Sequence, residues 1–362
     1  MTSARSDWML YGAYGTTGHL VLDEALRRGH RPVLAGRDSA RLEALGQTTG
    51  LVTRRVALDH TGDMRAALSD MRCVLLAAGP YEVTGPAMRR ACLDAGCSYL
   101  DVNGEIADFG RAIASDADAR AVGIAIIPGA GYGVVFAECL AAYVKAHLPN
   151  ATVLRLSLAT QTLGRSRGAA LSTAATIAGA GRDIYRGGLR TRAIASPTWQ
   201  VCGPNGLRIR FAAAPMAELV AVQRSTGIAN ITAGIPLSWT AAALMRVASP
   251  TIGRILARMA PRASTRPETN RAPATLDALR SRVWAHAADD VGNHAAALLE
   301  TGEGYGAAAH AAVTAVELQL RDPRVGALTP VQAFGADFAL LTPGTRIQEL
   351  QNDGDGDDAT PN

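Results

Sequence analysis

Residues 8–38 constrain this chain more than any other stretch. They open Trp8-Met9-Leu10-Tyr11-Gly12-Ala13-Tyr14-Gly15-Thr16-Thr17-Gly18-His19-Leu20-Val21, an apolar run that meets three glycines at three-residue spacing. A helical pattern of Leu20, Val21, Ala25 and Leu26 follows. Strand, tight turn and helix N-terminus are the parts of a dinucleotide-binding βαβ unit. In that reading Gly12 allows the turn, Gly15 lets backbone approach a pyrophosphate, and Gly18 lets helix pack on strand. Tyr14, Thr16 and Thr17 complete the cofactor-binding turn, whose amides face the phosphates. A glycine turn of purely structural purpose is the alternative. The complete second strand at residues 32–36 argues for the nucleotide.

The end of that strand bears on which nucleotide binds. An Asp or Glu there holds a ribose 2′-hydroxyl, whereas an Arg nearby accommodates a 2′-phosphate. The chain reads Leu34-Ala35-Gly36-Arg37-Asp38-Ser39-Ala40-Arg41, so Arg37 falls at the expected place and Asp38 one residue late. Asp38 also suits the N-cap of a helix carrying Leu42 and Leu45. Arg37, assisted by Ser39 and Arg41, predicts NADP.

At 362 residues there is room for two domains, each with a core. With 48% hydrophobic and 19% charged residues the chain is globular. A net charge of +4, thinly scattered, offers no nucleic-acid surface. Only Lys145 among the 36 basic residues is lysine, which excludes a Schiff-base lysine elsewhere. Ala141 stands where the tyrosine of a Tyr-x-x-x-Lys pair belongs. The five cysteines show no metal or redox spacing, and Cys73 and Cys139 read as core hydrophobes. With no signal peptide before the first strand, a reduced cytoplasmic protein is expected. No stretch is apolar enough for a membrane span. Residues 237–260, with Arg246, Arg254 and Arg258 at near-helical spacing, read as an amphipathic helix broken near Ser249-Pro250. It either packs on its own domain or touches a membrane surface or acyl chain.

Further strands are expected at 52–58, 73–79, 98–102 and 123–127. Helices are expected at 62–69 and 86–95, then one ending near Val122 and one over 134–147. That alternation predicts a parallel sheet with right-handed crossovers, a Rossmann-type doubly wound α/β fold. Three strand ends carry unusual chemistry: Gly79-Pro80-Tyr81, Asn103-Gly104-Glu105, and residues 128–132 leading to Tyr132. Ligands of open α/β sheets bind outside carboxyl strand ends, so these loops, with Ala78, Gly79 and Pro80 beside the cofactor, should converge on the nicotinamide. The plainer alternative is that Gly and Pro simply stop strands. Beyond residue 150 the pattern changes. A strand is expected at 153–159, a loop entering a helix at 166–177, hairpin strands across 199–219, and a β-like run at 219–222. An exposed loop over 261–275, a strand over 281–287 and a helix over 305–320 follow.

The chain resembles the saccharopine dehydrogenase-like oxidoreductases, especially the branch that includes the mycobacterial trans-acting enoyl reductases. The resemblance rests on the stretch from Tyr11 to Gly18, on Gly36-Arg37, on Ala78-Gly79-Pro80-Tyr81 and on Tyr99-Leu100-Asp101-Val102-Asn103-Gly104-Glu105. It continues at 128–132, Cys139-Leu140-Ala141, Ser166-Arg167-Gly168, Gln223-Arg224-Ser225-Thr226-Gly227-Ile228 and Leu328-Thr329-Pro330. It implies an NADP-binding domain over 1–133 with a C-terminal return at about 305–350. It also implies an inserted mixed α+β domain over 134–304 for substrate and dimerisation. A disordered acidic tail at 351–362 follows from composition. The implied reaction is NADP-linked reduction, of a C=C bond in an acyl substrate carried on a polyketide synthase carrier domain, or of a C=N bond in an amino-acid imine. Gly133 stands where similar proteins have a carboxylate, so no proton role passes to it. In sequence the second domain lacks an obvious cluster of arginines with acidic partners for an amino-dicarboxylate substrate, which favours an apolar acyl-type substrate.

Candidate proton donors are Tyr81, Glu105 and Tyr132. Glu105 has an alternative role as cap of the following helix, and Tyr81 as a group stacked beside the cofactor. His286 and His294, flanking Asp289-Asp290, read as exposed loop residues, and no metal is expected. A rival reading is a module that holds NADP without turnover.

Overall fold

The computed structural model describes residues 7–59, 61–160, 181–203, 206, 208–247 and 280–350. Residues up to 135 together with 304–342 form one compact unit; a second comprises those from 136 to 303 that are described, apart from 164–170, with 343–350.

In the first unit, β1 (Trp8–Tyr11), β2 (Val33–Gly36), β3 (Thr53–Arg55), β4 (Cys73–Leu76), β5 (Ser98–Asp101), β6 (Ala125–Ile127) and β15 (Gly326–Ala327) form one sheet. Its order is β15-β6-β5-β4-β1-β2-β3, and every pairing is parallel. Parallel neighbours require crossovers. These are α1 (Thr16–Arg27), α2 (Ser39–Thr49), α3 (Thr61–Leu68), α4 (Tyr81–Ala95), α5 (Ile106–Ala114) and α6 (Asp116–Val122). β1, β2, β4 and β5 are buried at every position, which is why they read as unbroken apolar runs. Met9, Tyr11, Val74, Leu76, Met88, Tyr99 and Ile126 fill the core between sheet and helices. The buried thiols of Cys92 and Cys97 join them.

The late helix α10 (Gly304–Arg321) belongs to this unit and packs on α1 and β4. Arg28 donates to Thr314 at 3.0 Å and Glu317 at 2.9 Å, and His30 meets Glu317 at 2.8 Å. The expected return over 305–350 is shorter in the structure. It runs from 304 to 342, because β16 (Arg346–Glu349) pairs with a strand of the second sheet. The first boundary falls after 135 instead of 133.

α7 (Tyr132–His147) leads the chain into the second unit. There β7 (Val153–Ala159), β8 (Gly181–Tyr185), β9 (Gly188–Arg192), β10 (Thr198–Cys202), β11 (Arg208–Ala213), β12 (Asn230–Pro236), β13 (Ser281–Ala288) and β14 (His294–Thr301) form a mixed sheet with β16. Its order is β10-β11-β12-β7-β13-β14-β16, with the β8–β9 hairpin attached to β12. Among the described residues only the β12–β7 pairing of this sheet is parallel. Among the described residues two helices accompany it, α8 (Glu218–Thr226) and α9 (Trp239–Val247).

Three local expectations change, and a fourth is met where the structure describes it. α4 begins at Tyr81, not at residue 86, so Pro86 lies inside the helix. The run 219–222 is helical, with Leu219, Ala221 and Val222 buried and Gly227 closing the helix at φ +69°. His286 and His294 lie within strands β13 and β14 rather than in a loop. Of the amphipathic stretch at 237–260, residues 239–247 are helical. The remainder beyond 247, the helix expected at 166–177, the loop at 261–275 and the tail at 351–362 lie outside the described residues. Among the described residues no helix is long and apolar enough to cross a membrane.

Candidate functional site

β1 ends at Tyr11 and the chain turns at Gly12, whose φ of +88° is a conformation that favours glycine. A Cβ there would come within 2.8 Å of the Ala78 Cβ, so the turn sits against the end of β4. Gly12 N donates to the Ala35 carbonyl at 2.8 Å, and Gly15 N donates to the Gly12 carbonyl at 2.9 Å. A Cβ on Gly18 would fall inside the radius of the Gly12 carbonyl oxygen, so only glycine lets helix and strand approach this closely. Gly15 is the N-cap of α1, no side chain caps that helix, and its first turn holds no acid. The amides of Thr16 and Thr17 thus sit at the positive end of a helix dipole without a protein anion. The turn fits a dinucleotide pyrophosphate.

At the end of β2 the Tyr14 ring lies against Gly36, where a Cβ would meet it at 2.6 Å. Its hydroxyl accepts from the amides of Arg37 at 3.1 Å and Asp38 at 3.3 Å. The Arg41 guanidinium lies 5.4 Å from the ring centroid. Asp38 is the N-cap of α2, its carboxylate accepting from the Arg41 amide at 3.1 Å. That leaves Arg37 and Arg41, both exposed, as the charged groups of this edge, with Ser39 between them.

Because the strands are parallel, the carboxyl ends of β1, β4, β5 and β6 lie along one edge of the sheet. Tyr81 opens α4, Glu105 precedes α5, and Tyr132 opens α7. The structure brings Tyr81 and Glu105 together. The Glu105 carboxylate accepts from the amides of Tyr81 at 3.1 Å and Glu82 at 2.8 Å, and so caps α4. It does not cap α5, where Glu105 is the N-cap without a side-chain bond. Tyr132 is half-buried, and the loop before it is tied to β5. Ala130 N donates to the Asp101 carbonyl at 2.7 Å, and Gly129 N to the Asp101 carboxylate at 2.7 Å.

These loops enclose a buried network that sequence reasoning did not single out as functional. Arg89 and Asp108 pair through two bonds of 2.8 and 2.7 Å. The Asn103 amide group donates to Asp108 at 3.0 Å, and its backbone N–H donates to Asp101 at 2.9 Å. The Tyr99 hydroxyl donates to Asp101 at 2.5 Å. Burial pushes the Asp101 carboxyl up to about 6, while hydrogen bonds from Tyr99, Gly129 and Asn103 oppose that rise. Burial, reinforced by Asp101, Glu105 and Asp108, pushes the Tyr81 phenol well above its ordinary range. The signal was present in Tyr99-Leu100-Asp101-Val102-Asn103. Polar groups ending a fully buried strand are costly unless partnered.

In the second unit, burial and the charge of Arg155 push the half-buried His286 down to about 4. His294 is exposed at the start of β14, and Asp289 accepts from the amides of Val291 and Asn293 in the intervening turn. Among the described residues no His, Cys, Asp or Glu cluster could hold a metal. Lys145 donates to the Ala151 carbonyl at 3.2 Å.

Residues 12–100 match a family model described as NAD(P)H-binding. A probable mitochondrial saccharopine dehydrogenase-like oxidoreductase of Arabidopsis thaliana is 30% identical over 149 residues, 36% of this chain and 33% of that protein. A trans-acting enoyl reductase of Mycobacterium tuberculosis is 33% identical over 109 residues, 28% of this chain and 26% of that protein. The match therefore spans a third or less of the length of these curated relatives. The saccharopine dehydrogenase (L-Glu forming) of Saccharomyces cerevisiae shares the fold across 96% of this chain and 100% of its own, at a TM-score of 0.62 and 11% identity. The first unit contains an NAD(P)H-binding domain, and the chain shares its fold with that yeast enzyme.

Proposed function

We propose that this protein is an NADPH-dependent reductase acting on the C=C bond of an acyl or polyketide-type substrate held on a carrier domain. One observation carries the choice of cofactor. Asp38 uses its carboxylate to cap α2, so the edge beside the glycine turn presents the guanidinium groups of Arg37 and Arg41. Guanidinium recognises a 2′-phosphate, and a free acid would recognise a 2′-hydroxyl. NADPH supplies the hydride when bound. The chain's own residues do the remaining work. The first turn of α1 holds the pyrophosphate, and Glu105 fixes the start of α4 and so the Gly79–Tyr81 loop. Tyr132 supplies the proton. Burial and the neighbouring carboxylates push the Tyr81 phenol up, which weakens it as an acid.

The C=C reading draws on the partial identity with trans-acting enoyl reductases. Reduction of an imine formed from an amino acid and an aldehyde is the second reading, drawn from the saccharopine dehydrogenase-like relative. NADPH oxidation followed optically, with an enoyl thioester in one cell and an amino acid plus aldehyde in another, tests both. Turnover of the thioester alone is the expected result. Turnover of the imine pair alone selects the second reading, and NADPH binding without turnover of either leaves a nucleotide-holding module.

A further inference from the structure

One face of the second unit's sheet gathers polar donors and aromatic rings. β7 and β13 run antiparallel, with Arg155 opposite His286 and Ser157 opposite Trp284, so these four residues share a face. Trp199 joins them, its Nε1 donating to the Ser157 hydroxyl at 2.7 Å, with the Arg155 guanidinium 5.4 Å from its ring centroid. Phe211 stacks on Trp199 at 6.1 Å and meets Trp284 edge-on at 5.7 Å.

Four other cations of this sheet are answered by acids. Arg190 and Arg192 share Asp183, and Arg282 and Arg346 share Glu300. Arg155 has no such partner. Among the described residues no carboxylate reaches its guanidinium, and burial is the sole influence on its pKa, which it lowers. Trp284 is fully buried, and its Nε1 also has no acceptor among the described residues. Burying a guanidinium without an anion is costly, and a cation–π contact offsets only part of that cost. A buried N–H without an acceptor adds to it. The deficit of this face is thus specifically one of negative acceptors. Guanidinium is the side chain best shaped to bind carboxylate or phosphate through two parallel bonds, and the aromatic surroundings strengthen such bonds by excluding water.

We propose that Arg155, with His286 beside it, forms an oxyanion-binding site in the second unit for the carboxylate or phosphate of an otherwise apolar ligand. Arg155 supplies the charge and Trp199 the apolar wall beside it, while Trp284 and Phe211 form the core beneath. The site is independent of whether the first unit transfers hydride.

The test uses the full chain saturated with NADPH, which keeps the glycine turn from competing for the probe. Calorimetric titration with 4′-phosphopantetheine and, separately, with glutarate distinguishes a phosphate from a carboxylate source. The wild type should bind at least one of them, and Arg155→Gln should lose at least tenfold in that affinity while binding NADPH unchanged. Thermal melting without a probe separates this role from packing. Removing an unanswered guanidinium should leave the melting temperature unchanged or higher, whereas a purely structural Arg155 would lower it. The proposal is overturned by binding of neither probe, by equal binding to Arg155→Gln, or by a lower melting temperature of that variant without ligand.

Discussion

At the scale of single residues the glycines were the most legible part of the chain, because their purpose is steric. Spacing alone assigned Gly12 to the turn and Gly18 to helix packing, and the contacts a Cβ would make agree with both roles. Asp38 was ambiguous, since whether its carboxylate faces a ribose or an amide depends on a hydrogen bond that sequence does not display. Arg37→Ala should weaken NADPH far more than NADH, by about 1.5–3 kcal/mol for a charge-assisted contact, and equal losses for the two nucleotides would reject the NADP assignment. Tyr132→Phe should lower turnover by roughly 10²–10⁴ with NADPH affinity intact, whereas Tyr81→Phe should cost less than tenfold. The reverse order in steady-state rates would make Tyr81 the donor. Glu218 supplies a pH signature. It is 4% exposed, its Oε2 has no acceptor or donor among the described residues, and burial pushes its carboxyl from 4.5 to about 7. Between those values the folded protein retains a proton that the unfolded chain has released. Stability therefore falls as pH rises through this window, by about 3 kcal/mol for this group, and is level above it. Urea melts of Glu218→Gln at pH 5 and pH 7.5 should lack that component.

At the scale of elements, the apolar parallel strands were found to within a few residues, because burial on both faces leaves an unmistakable pattern. Failures came where the deciding partner is distant or the pattern short. α4 starts five residues before the sequence suggested, since its first amides are capped by Glu105, 24 residues further along the chain. Four apolar residues at 219–222 are too few to separate a period of two from one of 3.6. The left-handed Gly227 was the better guide there, as a helix stop. Strands β14 and β16 escaped because small residues and charges dominate them. The cap at α4 can be measured. Glu105→Gln should cost about 1 kcal/mol and loosen the Gly79–Tyr81 loop, seen as a lower melting temperature and faster amide exchange at Tyr81 and Glu82. Unchanged exchange at those two amides would remove Glu105 from this role.

At the scale of the whole molecule, α/β alternation made the Rossmann sheet readable, but the return of the chain to it came only through family resemblance. No local pattern records that α10 will lie on α1, or that Gly326–Ala327 will extend the sheet beside β6. Gly326 N donates to the Ile124 carbonyl and Leu328 N to that of Ile126, both close to 3 Å. Arg72 reaches the Leu320 carbonyl at 2.7 Å. Truncation after residue 303 should therefore unfold the first unit, and a cooperatively melting, NADPH-binding 1–303 fragment would refute this dependence. The divided first unit also has a consequence for synthesis. Six of its seven strands precede residue 135, while its last strand and covering helix emerge on the order of 200 residues later. At ribosomal speed that delay is roughly 10–40 s, during which β6 offers a bare strand edge to whatever passes. The nascent chain must hold an unfinished sheet in the cell for longer than most small domains take to fold.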